Sequence, residues 1–206
     1  MPEQPTGDGL VLTHGAGFNC HAPVLVAVAA AFAAAGVTVL RCDLPFRQAR
    51  PHGPPPRGSG AIDRAGLRSA LGALRRRASG RLLLGGHSYG GRQASVLAAE
   101  APNVTDALLL LAYPLHPPDR PADLRTGHFP ALRAPVLFVH GSRDPFATLE
   151  ELRAARALIP AATALLAVEG AAHDLASLAA ADLVPALLGL IPRGAAPAPT
   201  AVSIDG

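Results

Sequence analysis

Five residues, Gly86-His87-Ser88-Tyr89-Gly90, lie between an apolar run at 82–84 and a helical pattern at 93–100, and they constrain the fold more than any other stretch. Small residues two before and two after the serine let the chain turn sharply from strand into helix, leaving the Ser88 hydroxyl exposed at the tip. The Tyr89 amide, at the start of the new helix, then faces the place where an oxyanion would form. Glycine makes up 21 of the 206 residues, so the pentapeptide alone carries little weight. The strand before it and the helix after it carry the inference.

That strand-to-helix step recurs along the chain. Short apolar runs at 10–12, 37–40, 82–84, 107–111, 135–139 and 163–168 predict six strands. Helical patterns occupy 23–35, 61–78, 93–100, 148–158 and 174–190. The first opens on Pro23 and stops at Gly36, the usual order of helix punctuation. The exit of the second strand, 41–46, leads into a loop at 50–60 too rich in Pro and Gly to be regular. Residues 113–134 form a proline-dotted connection with room for one short helix.

Alternating elements of this kind predict an α/β fold, a three-layer α/β/α sandwich on about six mostly parallel strands with right-handed crossovers. Half the residues are apolar and 16% charged, as a sheet covered on both faces requires. The length suits a single domain over 1–191, followed by a Pro/Ala-rich tail at 192–206 that is expected to be flexible. In such sheets ligands sit beyond the carboxyl ends of the strands, so the loops after strands one, three, five and six are the places to search.

Composition excludes several functions. The 18 basic residues are all Arg and outnumber the acids by three, a weak basis for binding nucleic acid. The densest cluster, Arg75-Arg76-Arg77, falls at a helix end, where cations cap carbonyls. No G-x-x-x-x-G-K-[ST] can exist without a lysine, and His14-Gly-Ala-Gly17 lacks the third glycine of a dinucleotide loop, so no cofactor is expected. Neither H-x-x-x-H nor C-x-x-C spacing occurs, so no metal is expected. Cys20 and Cys42 suggest reduced thiols in a cytosol. The first nine residues carry no signal-peptide pattern and the run at 24–35 is too short to span a bilayer, so the expectation is a cytoplasmic chain with no membrane partner.

A serine hydroxyl is a poor nucleophile until a base takes its proton, and that base needs an acid to orient it. His173, in a small-residue loop after the last strand, can reach back to Ser88. His14, His87 and His140 sit at strand ends beside glycines, where structural hydrogen bonds suffice to explain them. Asp144, directly after the fifth strand, completes the order Ser, Asp, His, with Asp119 and Asp123 in reserve. Two oxyanion donors are expected, Tyr89 from the turn and Ala16 from the loop 13–17, with Gly17 next. His116, Tyr113 and Arg92 are candidate substrate contacts.

With those residues in place the chain resembles the α/β-hydrolase superfamily. Leu12-Thr-His-Gly-Ala-Gly17, Asp43-Leu-Pro-Phe46, Gly85-Gly-His-Ser-Tyr-Gly-Gly-Arg92, His140-Gly-Ser-Arg-Asp-Pro-Phe146 and Gly170-Ala-Ala-His173 are similar to its small, capless bacterial branch, near the dienelactone hydrolases. The likeness covers residues 10–190 and implies a trimmed sheet of order 2-1-3-4-5-6, without the antiparallel hairpin that begins many members. Dienelactone hydrolases proper use a cysteine where this chain has Ser88. The implied activity is a serine hydrolase cleaving a carboxylic ester or related acyl bond in a small molecule. The alternatives are a non-catalytic ligand-binding protein on the same fold and an acyltransferase using the same residues. The edge strands, at 37–40 and 163–168, leave monomer and homodimer both open.

Overall fold

The computed structural model describes Pro2 and residues 4–191; the expected tail at 192–206 lies outside the described residues. Strands β1 (Gly9–Thr13), β2 (Thr38–Cys42), β3 (Leu82–His87), β4 (Ala107–Leu111), β5 (Val136–Gly141) and β6 (Thr163–Val168) form one sheet in the order β2-β1-β3-β4-β5-β6. Every pairing in it is parallel. Strand order reverses between β1 and β3, and the loops leaving those two strands meet at that switch point.

Alternation along the strands explains the layers. Val11, Leu108 and Leu110 face one core, shared with Leu67, Leu71 and Leu74 of α3 (Gly60–Arg75) and with Ala94 and Leu97 of α4 (Tyr89–Glu100). Leu10, Leu12, Leu109 and Leu111 face the other, shared with Leu25, Val28 and Phe32 of α1 (Pro23–Ala34). Because β1, β3, β4 and β5 are buried on both faces, their sequences are near-continuous apolar runs. The short α2 (Pro45–Ala49) and α5 (Leu149–Arg156) complete the face that carries α3 and α4. Thr148 and Glu151 close a capping box at the start of α5.

Several boundaries differ from the sequence reading. β3 and β5 continue into the glycine-bearing motifs as far as His87 and Gly141, because β4 stays paired with β3 to His87 and β6 with β5 to Gly141. α4 starts at Tyr89, immediately after the serine. The helix expected over 174–190 is largely absent. Residues 174–178 form a strap of turns, and regular structure resumes only at Ala180–Asp182 and α6 (Leu183–Leu188). Leu175 takes φ +54 to bury its side chain, a conformation no helix contains. The segment at 113–134 holds a single 3₁₀ turn, Phe129–Ala131. Among the described residues no helix is long and apolar enough to cross a membrane.

Candidate active site

Ser88 occupies the one-residue turn between β3 and α4 at φ +51 and ψ −117. Such a conformation costs a non-glycine residue about 1–3 kcal/mol, so the surroundings must hold it. A Cβ on Gly86 would lie 2.6 Å from the carbonyl carbon of Gly90, and one on Gly91 2.6 Å from the Gly86 oxygen. The strand end and the first helical turn therefore touch backbone to backbone, which only glycine permits. The Ser88 amide donates to the Leu111 carbonyl at 2.8 Å and ties the turn to β4.

Two further loops converge on that hydroxyl. His173 Nε2 lies 2.8 Å from Ser88 Oγ, and its Nδ1 lies 2.7 Å from Asp144 Oδ2. The Asp144 side chain is fully buried, and its other oxygen accepts the Phe146 amide at 2.9 Å. With Oδ1 held by that amide, Oδ2 is the oxygen left for the imidazole. Nδ1 then carries the proton and Nε2 accepts from the serine. The ring of Phe146 packs against His173 at 4.3 Å between centroids. At the end of β5, a Cβ on Gly141 would strike the carbonyls of Ala171 and Ala172, so the Asp144 and His173 loops also meet backbone to backbone.

The remaining strand-end histidines are neutral struts. His87 donates from Nε2 to the His173 carbonyl at 2.7 Å, and burial lowers its pKa to about 4. His140 donates from Nε2 to the Ala147 carbonyl at 2.9 Å, and burial lowers its pKa as well. His14 donates from Nδ1 to the Gly15 carbonyl at 2.9 Å, accepts the Leu44 amide at 3.1 Å, and is likewise held neutral by burial. None of the three reaches the serine hydroxyl by hydrogen bond in this arrangement.

The loop 14–17 lies over the turn. A Cβ on Gly15 would come 2.8 Å from His87 Nδ1 and 3.3 Å from Ser88 Cβ. Arg47 was not singled out by the sequence, yet it is 6% exposed and donates to the carbonyls of Ala16 at 2.6 Å and Phe18 at 2.9 Å. In a trans peptide the carbonyl and the following amide point opposite ways. His14 on the Gly15 carbonyl therefore fixes the direction of the Ala16 N–H, and Arg47 on the Ala16 carbonyl fixes that of Gly17. Tyr89, first residue of α4, has an amide with no partner inside its own helix. An arginine in an Arg-rich chain gave no local signal of this role.

The candidate substrate contacts fare differently. Tyr113 is fully buried between Phe129 and Phe138 and donates its hydroxyl to the Arg125 carbonyl at 2.7 Å, so it is a core residue. His116 is 5% exposed and spends its ring nitrogens on the Pro117 carbonyl at 2.8 Å and on Glu151 at 3.4 Å, so it braces α5. Both corrections have one cause: the start of the 113–134 connection packs inward, with Tyr113 against Phe129 and Phe138 and His116 tied to α5. Arg92 buries Nε without a partner; burial first and the Arg92 charge second lower the pKa of Arg125 and of His128. Asp119 and Asp123 are exposed beside Arg120.

A cavity of about 330 Å³ opens beside the turn, with His87 at its base. Val24 and Ala27 of α1 line one side, Leu175 and Leu178 of the strap another, with Phe18 alongside. Sequence periodicity did not foresee it, because the strap that forms one wall had the pattern of a helix.

An open parallel sheet of this order, with a serine at the turn after its third strand and His173 and Asp144 joined to it, defines the α/β-hydrolase class. The chain belongs to the alpha/beta hydrolase domain family, which matches residues 7–185. Its fold is shared with a dienelactone hydrolase from Anabaena variabilis, at 22% identity, TM-score 0.69, and coverage of 92% of this chain and 86% of that one. It is also shared with an α/β serine hydrolase without lid from Xanthomonas campestris (20%, TM-score 0.68, 92% and 84%). A third similar structure is Est1E from Butyrivibrio proteoclasticus, determined with ferulic acid bound (17%, TM-score 0.71, 91% and 94%). The protein is a hydrolase.

Proposed function

We propose that this hydrolase cleaves a carboxylic ester or related acyl bond with Ser88 as nucleophile, His173 as general base and acid, and Asp144 as the group that orients the imidazole. The observation that carries this reading is the continuous hydrogen-bonded chain from Ser88 Oγ through His173 to buried Asp144.

Ser88 Oγ attacks the carbonyl carbon while its proton passes to His173 Nε2, and Asp144 stabilises the imidazolium through Nδ1–H. Charge on the carbonyl oxygen is met by the amides of Tyr89 and Ala16, with Gly17 as the next donor. These are backbone groups already fixed by α4, His14 and Arg47, so they need no reorganisation. Collapse expels the alkoxide, which takes the proton from His173 and leaves an acyl-serine. A water then gives its proton to the same nitrogen and attacks the acyl carbon, returning Ser88 and releasing the acid. The neutral state of His87 and His140 keeps a second positive charge away from the imidazolium as it forms.

The test is labelling with a fluorophosphonate probe, which phosphonylates activated serines. Wild-type protein is expected to label and Ser88→Ala to remain blank. Absent wild-type labelling, or equal labelling of Ser88→Ala, refutes the mechanism.

A further inference from the structure

The cavity between α1 and the strap has a chemical character that narrows the substrate. Its walls are Val24, Ala27, Leu175 and Leu178, with Phe18 alongside, half-exposed and 6.5 Å edge-on from the His87 ring. The position ties it to the reacting centre, since His87 immediately precedes Ser88 and Asp174 immediately follows His173, and both line it. His87 also donates to the His173 carbonyl, so one side chain joins the base of the cavity to the loop that holds His173.

No arginine lines the cavity, and its charged lining residue is exposed Asp174. The base offers no cation either, because burial keeps His87 unprotonated down to about pH 4. The unpaired guanidinium nitrogen of Arg92 belongs to a different group, with Tyr113, Arg125 and His128, and is not among the lining residues. An anionic substituent seated here would leave water and meet a carboxylate, with only the partial positive charge of the α1 N-terminus at 22–24 to offset the loss. An apolar one would cover apolar wall on several sides.

Size sets the other limit. A volume of 330 Å³ is at the small end for ligand pockets. At ~30 Å³ for a water-sized group it accepts roughly ten non-hydrogen atoms. The strap that closes one side is fixed by Leu175, buried at φ +54, so the wall is a built one.

We infer that this cavity seats one flank of the scissile bond, and that the substrate's substituent there is an uncharged, apolar group of about four to eight carbons, not one bearing a carboxylate. The inference rests on Ser88 being the nucleophile.

The experiment measures kcat/KM for the full chain on two series: p-nitrophenyl acetate, butyrate and hexanoate, and acetate esters of alcohols from methyl to hexyl. A p-nitrophenyl ester with a carboxylate at the end of a butyryl chain is added. In one series kcat/KM is expected to rise ~10- to 100-fold with chain length, since each buried methylene strengthens binding. The carboxylate ester should fall at least ~10-fold below its uncharged counterpart, a gap that Asp174→Asn narrows.

Ala27→Phe, on an exposed position of α1, fills the cavity from a tolerant site. It should abolish the chain-length preference, bringing kcat/KM for the longest ester of the responsive series down towards that of the acetate. Flat profiles in both series, preference for the carboxylate ester, or an unchanged profile in Ala27→Phe overturn the assignment of the cavity. Loss of all Ser88-dependent turnover and labelling instead overturns the proposed mechanism, and the cavity's assignment falls with it.

Discussion

Asp144→Asn is the substitution whose consequence the structure fixes most closely. The Phe146 amide donates to Oδ1 at 2.9 Å, so the asparagine oxygen must stay at that position and the NH₂ must occupy the place of Oδ2. There it faces His173 Nδ1 at 2.7 Å as a donor instead of an acceptor. The imidazole answers by moving its proton to Nε2, which then points N–H at Ser88 Oγ and cannot take the serine proton. Activity should fall about 10⁴-fold in kcat, the size of effect a wrong tautomer produces in such a triad. That corresponds to about 5 kcal/mol of activation free energy. The fold loses far less, because each hydrogen bond is replaced and a buried charge is removed, so melting should shift by a few degrees at most. Steady-state hydrolysis of p-nitrophenyl butyrate near neutral pH, beside a thermal melt, checks both halves. A variant within tenfold of wild type, or one equalled by Asp119→Asn or Asp123→Asn, refutes the reasoning.

Two other outcomes follow from the same geometry. Ser88→Gly should be more stable than Ser88→Ala by about 1 kcal/mol, or roughly 2–4 °C in melting temperature, because glycine relieves the φ of +51 and alanine keeps it; equal melting temperatures would show that the turn is not strained. For pH dependence, burial lowers the pKa of His87 and His128 to about 4 in the folded chain, against about 6.5 unfolded. A depressed folded pKa means the unfolded chain binds more protons in that window, so stability is full above about pH 6.5 and declines as pH falls towards 4. Urea midpoints from pH 7 to 5 should fall, with His87 and His128 each contributing up to about one proton of uptake and buried His14 and His140 adding to it; His128→Gln should reduce the uptake by about one, whereas a flat midpoint would contradict the burial.

Much of the site was legible because it depends on local chemistry and chain order. Ser88 announces itself through glycines two positions away on either side, which the close approach of Gly86 to the Gly90 backbone and of Gly90 to the His14 carbonyl requires. His173 and Asp144 each follow a strand directly, and any residue so placed emerges at the carboxyl edge of the sheet. Tyr113 and His116 follow β4 in the same way, yet they point into the core and towards α5. Position along a strand selects the edge, but packing selects the direction.

By itself the sequence determined the alternation of strands and helices, the sheet order through its family likeness, the turn at Ser88, and the loops able to supply a base and an acid. Those are consequences of periodicity, of glycine and proline at element ends, and of right-handed crossovers, all of which act over short stretches. Tertiary structure alone decided that His173 Nε2 lies 2.8 Å from a hydroxyl 85 residues away, that Arg47 is buried under the loop 14–17, and that residues 174–178 form a strap with a cavity behind it. The reason is physical. Those facts depend on which carbonyls are left for a guanidinium to cap and on which side chains must bury once six strands are in register, and neither quantity is written in any single segment.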